Sequence, residues 1–187
     1  MSESDRIIWD QRYSQAAEIE SRPPNWLGEV ESLLPRQGYA LDIAAGAGRL
    51  AIWLAGRGLD VLAVDISPAG LDLARQGALD QGSQIETMAV DLEVDSLPEG
   101  PFDIITCFNY LQRDLFPSIR DRLNAGGLLL AEIAIVTNLE LHAHPSRRYL
   151  AELGELRQDC APLEILYYEE GWFDDRASAR VLARKLS

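Results

Sequence analysis

From Tyr39 onward, short apolar runs alternate with segments whose apolar residues recur every three or four positions. This alternation predicts parallel strands joined by crossover helices. Tyr39 to Ala44 reads as the first strand, and Leu50, Trp53 and Leu54 mark a helix that stops at Gly56-Arg57-Gly58. Leu59 to Val64 is the second strand. Ser67 followed by Pro68 supplies an N-cap hydroxyl and a first-turn proline for a helix with Leu71, Ala74 and Ala78 on one face, ended by Gly82. Ile85 to Val90 and Phe102 to Phe108 are the third and fourth strands. Leu115 to Leu123 is a helix, with Asn124-Ala125-Gly126-Gly127 as its stop. Leu128 to Val136 reads as a fifth strand covered on both faces. Pro145 to Gln158 contains a further helical stretch, and Leu163 to Glu169 and Ser178 to Lys185 are two final strands.

Before the first strand, Asp5 to Glu20 and Trp26 to Leu34 both read as helices, separated at Pro23-Pro24. There is no internal repeat, low-complexity stretch or linker. The expectation is one α/β domain over residues 1–187, with 1–36 a helical N-terminal cover and 37–187 the core.

The 187 residues carry 17 Lys plus Arg against 30 Asp plus Glu, a net charge of −13. Such acidity argues against nucleic acid or an anionic membrane as partner, because both are bound by neutralising phosphates. The most apolar run is short and interrupted by Glu132, and the N-terminus has no basic stretch followed by an apolar one, so the expected setting is the cytoplasm. Cys107 and Cys160 lie in or beside apolar stretches without metal-ligand spacing and read as buried free thiols.

The richest chemistry lies in Leu41-Asp42-Ile43-Ala44-Ala45-Gly46-Ala47-Gly48-Arg49, where a strand runs through a Gly-x-Gly turn into a helix. Glycine allows close approach of a ligand, and the helix start presents unpaired N–H groups. The pattern also serves ordinary tight turns, so the neighbouring acids matter. Asp65 ends the second strand, 23 residues beyond Asp42, where a carboxylate can accept hydrogen bonds from a ribose diol. Asp91 ends the third strand, placed to meet an adenine amino group. Three acids at successive strand ends line one crevice.

Asp42-x-Ala-x-Gly-x-Gly, Asp65, Asp91-Leu92, Phe102-Asp103-Ile104-Ile105 and the Gly126-Gly127 turn together resemble the ordered motifs of class I S-adenosylmethionine-dependent methyltransferases. The resemblance implies a doubly wound, mostly parallel seven-stranded sheet with an antiparallel last strand, the Rossmann-like methyltransferase fold. It also implies that S-adenosylmethionine is held by Asp42, Ala44 and the Gly46 and Gly48 backbone at its methionyl end and by Asp65 at the ribose. Ile66 would pack on the adenine, Asp91 and the Leu92 N–H would bond it, and Phe108 would border the cofactor. Gly46-Ala47-Gly48-Arg49-Leu50-Ala51 also fits a relaxed dinucleotide pattern, so an NAD-dependent oxidoreductase is a competing reading. Against it, the Asp42 carboxylate would repel a pyrophosphate and attract a sulfonium.

On the acceptor side, the exit of the fourth strand offers Asn109 and Tyr110, and the fifth strand offers Glu132, a carboxylate costly to bury without a role. Methyl transfer can rest on positioning and exclusion of water, so a dedicated base is optional. The segments Trp9-Asp10-x-Arg12-Tyr13, Phe108-Asn109-Tyr110-Leu111-x-Arg113, His144-Pro145 and Tyr167-Tyr168-Glu169-Glu170-Gly171 resemble the small bacterial tellurite-resistance-type methyltransferases. That resemblance implies a small acceptor, an oxyanion, chalcogen or thiol compound. Arg113, Arg147, Arg148, His142 and His144 either face such an acceptor or are solvated. Trp9, Arg12 and Tyr13 belong to a helix that either closes over the cofactor or only packs against the body. His142 and His144 lack a third ligand, so no metal is expected. The expected activity is methyl transfer to a small-molecule acceptor by a monomer or homodimer, the alternative being a cofactor-binding protein without transferase activity.

Overall fold

The computed structural model describes residues 3–15 and 22–186. Seven strands form one sheet in the order β3-β2-β1-β4-β5-β7-β6. They are β1 (Tyr39–Ile43), β2 (Asp60–Asp65), β3 (Glu86–Ala89), β4 (Phe102–Phe108), β5 (Leu123–Ala134), β6 (Glu164–Phe173) and β7 (Arg176–Arg184). β1 to β5 pair in parallel, and β7 runs antiparallel between β5 and β6. This is the expected doubly wound sheet with an antiparallel last strand. The strand order reverses between β1 and β4, and at such a reversal the flanking connections part and leave a crevice beyond the strand ends.

The helices are α1 (Glu3–Ser14), α2 (Leu27–Val30), α3 (Arg49–Gly56), α4 (Pro68–Asp80), α5 (Leu115–Arg122) and α6 (Glu155–Asp159). α4 starts as its sequence dictates: the Ser67 hydroxyl accepts the Gly70 N–H at 3.1 Å, with Pro68 in the first turn. The sheet is buried on both faces. Leu50, Leu54 and Leu71 of α3 and α4, with Trp26 and Leu27, pack on Ala40, Ile104, Leu130 and Leu182. Phe116 and Ile119 of α5, with Leu156 and Cys160, cover Leu41, Ile43, Ile105 and Leu129 on the other face. Both cysteines are free and buried, and burial pushes both thiols up to about 12.

Three expected elements differ. The helix expected over 26–34 consists of α2 and a 3-10 turn (Glu31–Leu33), and it ends there because Leu34 precedes Pro35 and adopts the extended conformation that proline imposes on its neighbour. The expected stop at 124–127 lies inside β5, which starts at Leu123 opposite Phe102 and turns at Gly126, with φ +78°. The Lys185 ammonium there donates to the Arg120 and Leu123 carbonyls and so caps α5. Between Pro145 and Gln158 stand a 3-10 turn (Arg147–Tyr149) and the short α6, separated at Gly154, φ +74°. The N-terminal helix ends at Ser14, and positions 16–20 of the expected helix lie outside the described residues. No helix among the described residues is long and apolar enough to cross a membrane.

Candidate cofactor and acceptor site

The glycine turn sits at the reversal between β1 and β4. Ala44, Gly46 and Gly48 all have positive φ, +53°, +54° and +82°. An alanine held in that region is strained, a state that persists where surrounding structure imposes it. Here the Ala45 N–H donates to Val64 O at 2.9 Å and the Gly48 N–H to Ala45 O at 2.9 Å.

Asp42 and Asp65 brace this turn from below. Asp42 is buried; it accepts the Thr106 hydroxyl at 2.6 Å and the Ala51 N–H at 3.0 Å, which makes it a remote cap for α3, whose own N-cap residue is Gly48. Burial outweighs both hydrogen bonds and pushes its carboxyl up to about 7. Asp65 is also buried; its two oxygens accept the Gly46 and Ser67 N–H groups, each at 2.8 Å. Burial raises its pKa, opposed by those backbone donors. Each oxygen keeps lone-pair capacity toward a ligand hydroxyl. Ile66 and Leu92 are buried beside these strand ends. Asp91 accepts the Glu93 N–H at 3.0 Å in a local turn.

α1 is fastened across this site. The Asp10 carboxylate accepts the Ser67 hydroxyl at 2.6 Å and the Ala69 N–H at 3.3 Å, at the start of α4. These donors, and the Arg6 charge, hold its carboxyl below the usual range despite the opposing effect of desolvation. Tyr13 lies between two glycines: a Cβ on Gly46 would overlap its hydroxyl, and one on Gly70 would stand 3.0 Å from its ring. Burial, and then the Asp65 charge, push the Tyr13 hydroxyl up to about 12. Trp9 stacks on Tyr13 at 5.8 Å, and Arg12 lies over Trp9 at 4.9 Å. Of the N-terminal residues expected to face the site, Tyr13 reaches the glycine turn itself.

The acceptor side is a row of register partners. Phe108 on β4, Glu132 on β5, Arg180 on β7 and Glu169 on β6 stand abreast. The Glu132 carboxylate accepts the Trp26 indole N–H at 2.6 Å and the Ser178 hydroxyl at 2.9 Å, with Arg180 Nε 3.4 Å away. It holds these three neighbours together across β5, β7 and the segment before β1. Trp26 stacks on Phe108 at 6.0 Å and on Tyr167 at 5.5 Å. The sequence reading missed Trp26, Ser178 and Arg180. Arg180 was detectable as a lone cation amid the Ala-Ser-Ala and Val-Leu-Ala of an inward-facing strand.

The remaining expected residues stand as follows. The Tyr110 hydroxyl bonds Gln112, whose amide donates to Leu92 O at 2.8 Å, so Tyr110 steadies the loop after β3, and burial raises its pKa. Asn109 is exposed at the β4 exit with φ +59°, its N–H on Glu132 O at 2.8 Å. Arg113 binds Glu155 through Nε at 2.5 Å and Nη2 at 3.0 Å and reaches the Leu150 carbonyl. Exposed His142 contacts Asp175 O at 2.8 Å, Arg148 lies over Tyr149 at 4.3 Å, and His144 is exposed. The contacts of Arg113, His142 and Arg148 tie surface segments together. Among the described residues no cluster of three or more His, Cys, Asp or Glu is arranged to hold a metal ion.

The architecture is that of the Rossmann-like methyltransferases, and residues 40–127 match the family described as methyltransferase domain. Among solved structures, TehB from Haemophilus influenzae superposes with a TM-score of 0.74 at 19% identity, over 95% of this chain and 67% of that one. Magnesium protoporphyrin IX methyltransferase from Synechocystis, with bound SAH, superposes at 0.66 and 19% identity, over 97% and 83%. In sequence, the ubiquinone biosynthesis O-methyltransferase of Pseudomonas putida is 32% identical over 114 residues, 59% of this chain and 48% of that protein. The chain spans about half the length of the curated relatives it matches.

Proposed function

We propose that the protein transfers a methyl group from S-adenosylmethionine to a small-molecule acceptor. The observation that carries this reading is the match of residues 40–127 to a methyltransferase domain whose glycine turn, Asp42 and Asp65 meet at the sheet's reversal point. The residues present fit the cofactor: two buried carboxylates at the strand ends have raised pKa values that a neighbouring sulfonium and ammonium would lower. Asp42, Ala44, Gly46 and Gly48 would hold the methionyl end, Asp65 the ribose, and Ile66, Asp91 and Leu92 the adenine. The bound cofactor supplies an activated methyl carbon. The chain's own part is to orient the acceptor and exclude water: Trp26 and Phe108 wall the β4 exit, and Tyr13 covers the glycine turn.

Positioning and exclusion of water suffice for an acceptor that ionises by itself, and for one that does not, Glu132 is the carboxylate beside the β4 exit. The test is release of S-adenosylhomocysteine from S-adenosylmethionine with thiols, chalcogen oxyanions, halides and small phenols. Turnover of at least one class is expected. Tight cofactor binding with no turnover on any of them would favour a cofactor-binding protein without transferase activity.

A further inference from the structure

From Ile104 to Phe108, β4 is apolar except at Thr106, which has no exposed surface. A valine would fill this place without a hydroxyl to satisfy, so the hydroxyl calls for a role. Thr106 is the register partner of Asp42 on β1, and it donates to Asp42 Oδ1 at 2.6 Å. Its only other acceptor in reach among the described residues is the Leu41 carbonyl at 3.5 Å, so its one proton goes to the carboxylate. Asp42 Oδ2 accepts the Ala51 N–H of α3 at 3.0 Å. The carboxylate is thus held by β4 on one side and α3 on the other, at the base of the turn that joins β1 to α3. Burial opposes its charge, as does Asp65 at the end of β2; the Thr106 hydroxyl is the strongest influence in favour of it, ahead of the Ala51 N–H and of Arg49 at the start of α3. The Cys107 thiol on β4 is pushed up to about 12 and stays neutral.

We propose that Thr106 is a positioning residue for the cofactor: its hydroxyl keeps the Asp42 carboxylate charged and fixed across the base of the glycine turn, where that charge attracts a cationic ligand. The inference rests on the methyltransferase reading. Being fully buried, Thr106 acts through Asp42. S-adenosylmethionine carries a positive charge on sulfur that S-adenosylhomocysteine lacks, so a charged Asp42 strengthens binding of the first more than of the second. With the Asp42 carboxyl at about 7, that preference grows as pH rises through neutrality. Loss of the hydroxyl moves the growth to higher pH, because the ionised form loses a charge-assisted hydrogen bond while the desolvation remains.

The test is isothermal titration of the full chain with S-adenosylmethionine and with S-adenosylhomocysteine from pH 6 to 8.5, for wild type, Thr106→Val and Thr106→Ser. Titration of each ligand's own amino group is common to the three proteins and cancels when they are compared. In wild type the preference for S-adenosylmethionine should rise through about pH 7. In Thr106→Val the rise should lie about one pH unit higher, which lowers the preference at pH 7.5 about threefold. Thr106→Ser keeps the hydroxyl and should stay within about twofold of wild type. Should Thr106→Val fail to fold, Thr106→Ala reads the same displacement. An equal loss for both ligands at every pH is the mark of a brace alone and overturns the proposal, as does wild-type behaviour in Thr106→Val; both leave the methyltransferase reading intact. Absence of binding by either ligand overturns both.

Discussion

Replacing Asp42 by asparagine should change how the stability of the protein responds to pH. In the fold this carboxyl is buried with a pKa of about 7 against an ordinary 3.8. Between those values the folded chain holds a proton that the unfolded chain has released, so the contribution of Asp42 to stability falls as pH rises and its penalty is complete above about pH 7. At about 1.4 kcal/mol per unit, the full penalty is on the order of 4 kcal/mol, of which about 2 kcal/mol develops between pH 5 and 7. Asparagine has no such titration, and its amide can keep both contacts: the oxygen accepts the Ala51 N–H and the NH2 donates to Thr106 Oγ1, whose hydroxyl turns toward Leu41 O. The gap in stability between Asp42→Asn and wild type is therefore expected to shift in favour of the variant from pH 5 to 8, by about 2–3 kcal/mol. Urea unfolding at each pH, followed through the buried Trp26, measures the gap. A gap constant from pH 5 to 8 would refute the buried, protonatable Asp42.

Gly46→Ala should cost about 1–2 kcal/mol from its left-handed backbone plus the displacement of Tyr13, and in a Tyr13→Ala background only the backbone part should remain, so a double-mutant cycle must give coupling of about 1 kcal/mol or more. Asp10→Ala removes two hydrogen bonds that fasten α1 while leaving the Ser67 to Gly70 cap in place; faster hydrogen exchange confined to α1, with a global stability loss near 1 kcal/mol, is the expected outcome. Arg113→Ala should loosen residues 147–155 to proteolysis at a stability cost of about 1 kcal/mol or less, with cofactor affinity untouched, since Arg113 holds Glu155 on a half-exposed surface.

The sheet was readable in the chain because buried parallel strands leave continuous apolar runs and each crossover announces itself with a cap, as Ser67-Pro68 does. The glycine turn and its acids were readable for a related reason: a strand end, a turn and a helix start are contiguous, so their chemistry lies within nine residues from Leu41 to Arg49. Two kinds of feature were hidden. Between 145 and 159 the chain carries the expected helical stretch only as a 3-10 turn and the short α6, divided at the left-handed Gly154, a division that periodicity does not reveal. The acceptor row joins Trp26 to Glu132 across 106 positions and Glu132 to Arg180 through strand register, neither of which local pattern reveals. Glu132 accordingly stood out as a buried acid, but the partners that engage it became visible only in three dimensions.

The central claim is that the glycine turn with Asp42 and Asp65 receives an adenosyl sulfur cofactor and not a dinucleotide. Isothermal titration of the full chain with S-adenosylhomocysteine and, separately, with NAD tests it most directly. One equivalent of S-adenosylhomocysteine should bind at micromolar or tighter affinity, about 8 kcal/mol or more, and NAD should give no saturable heat. Saturable NAD binding with none for S-adenosylhomocysteine would contradict the account.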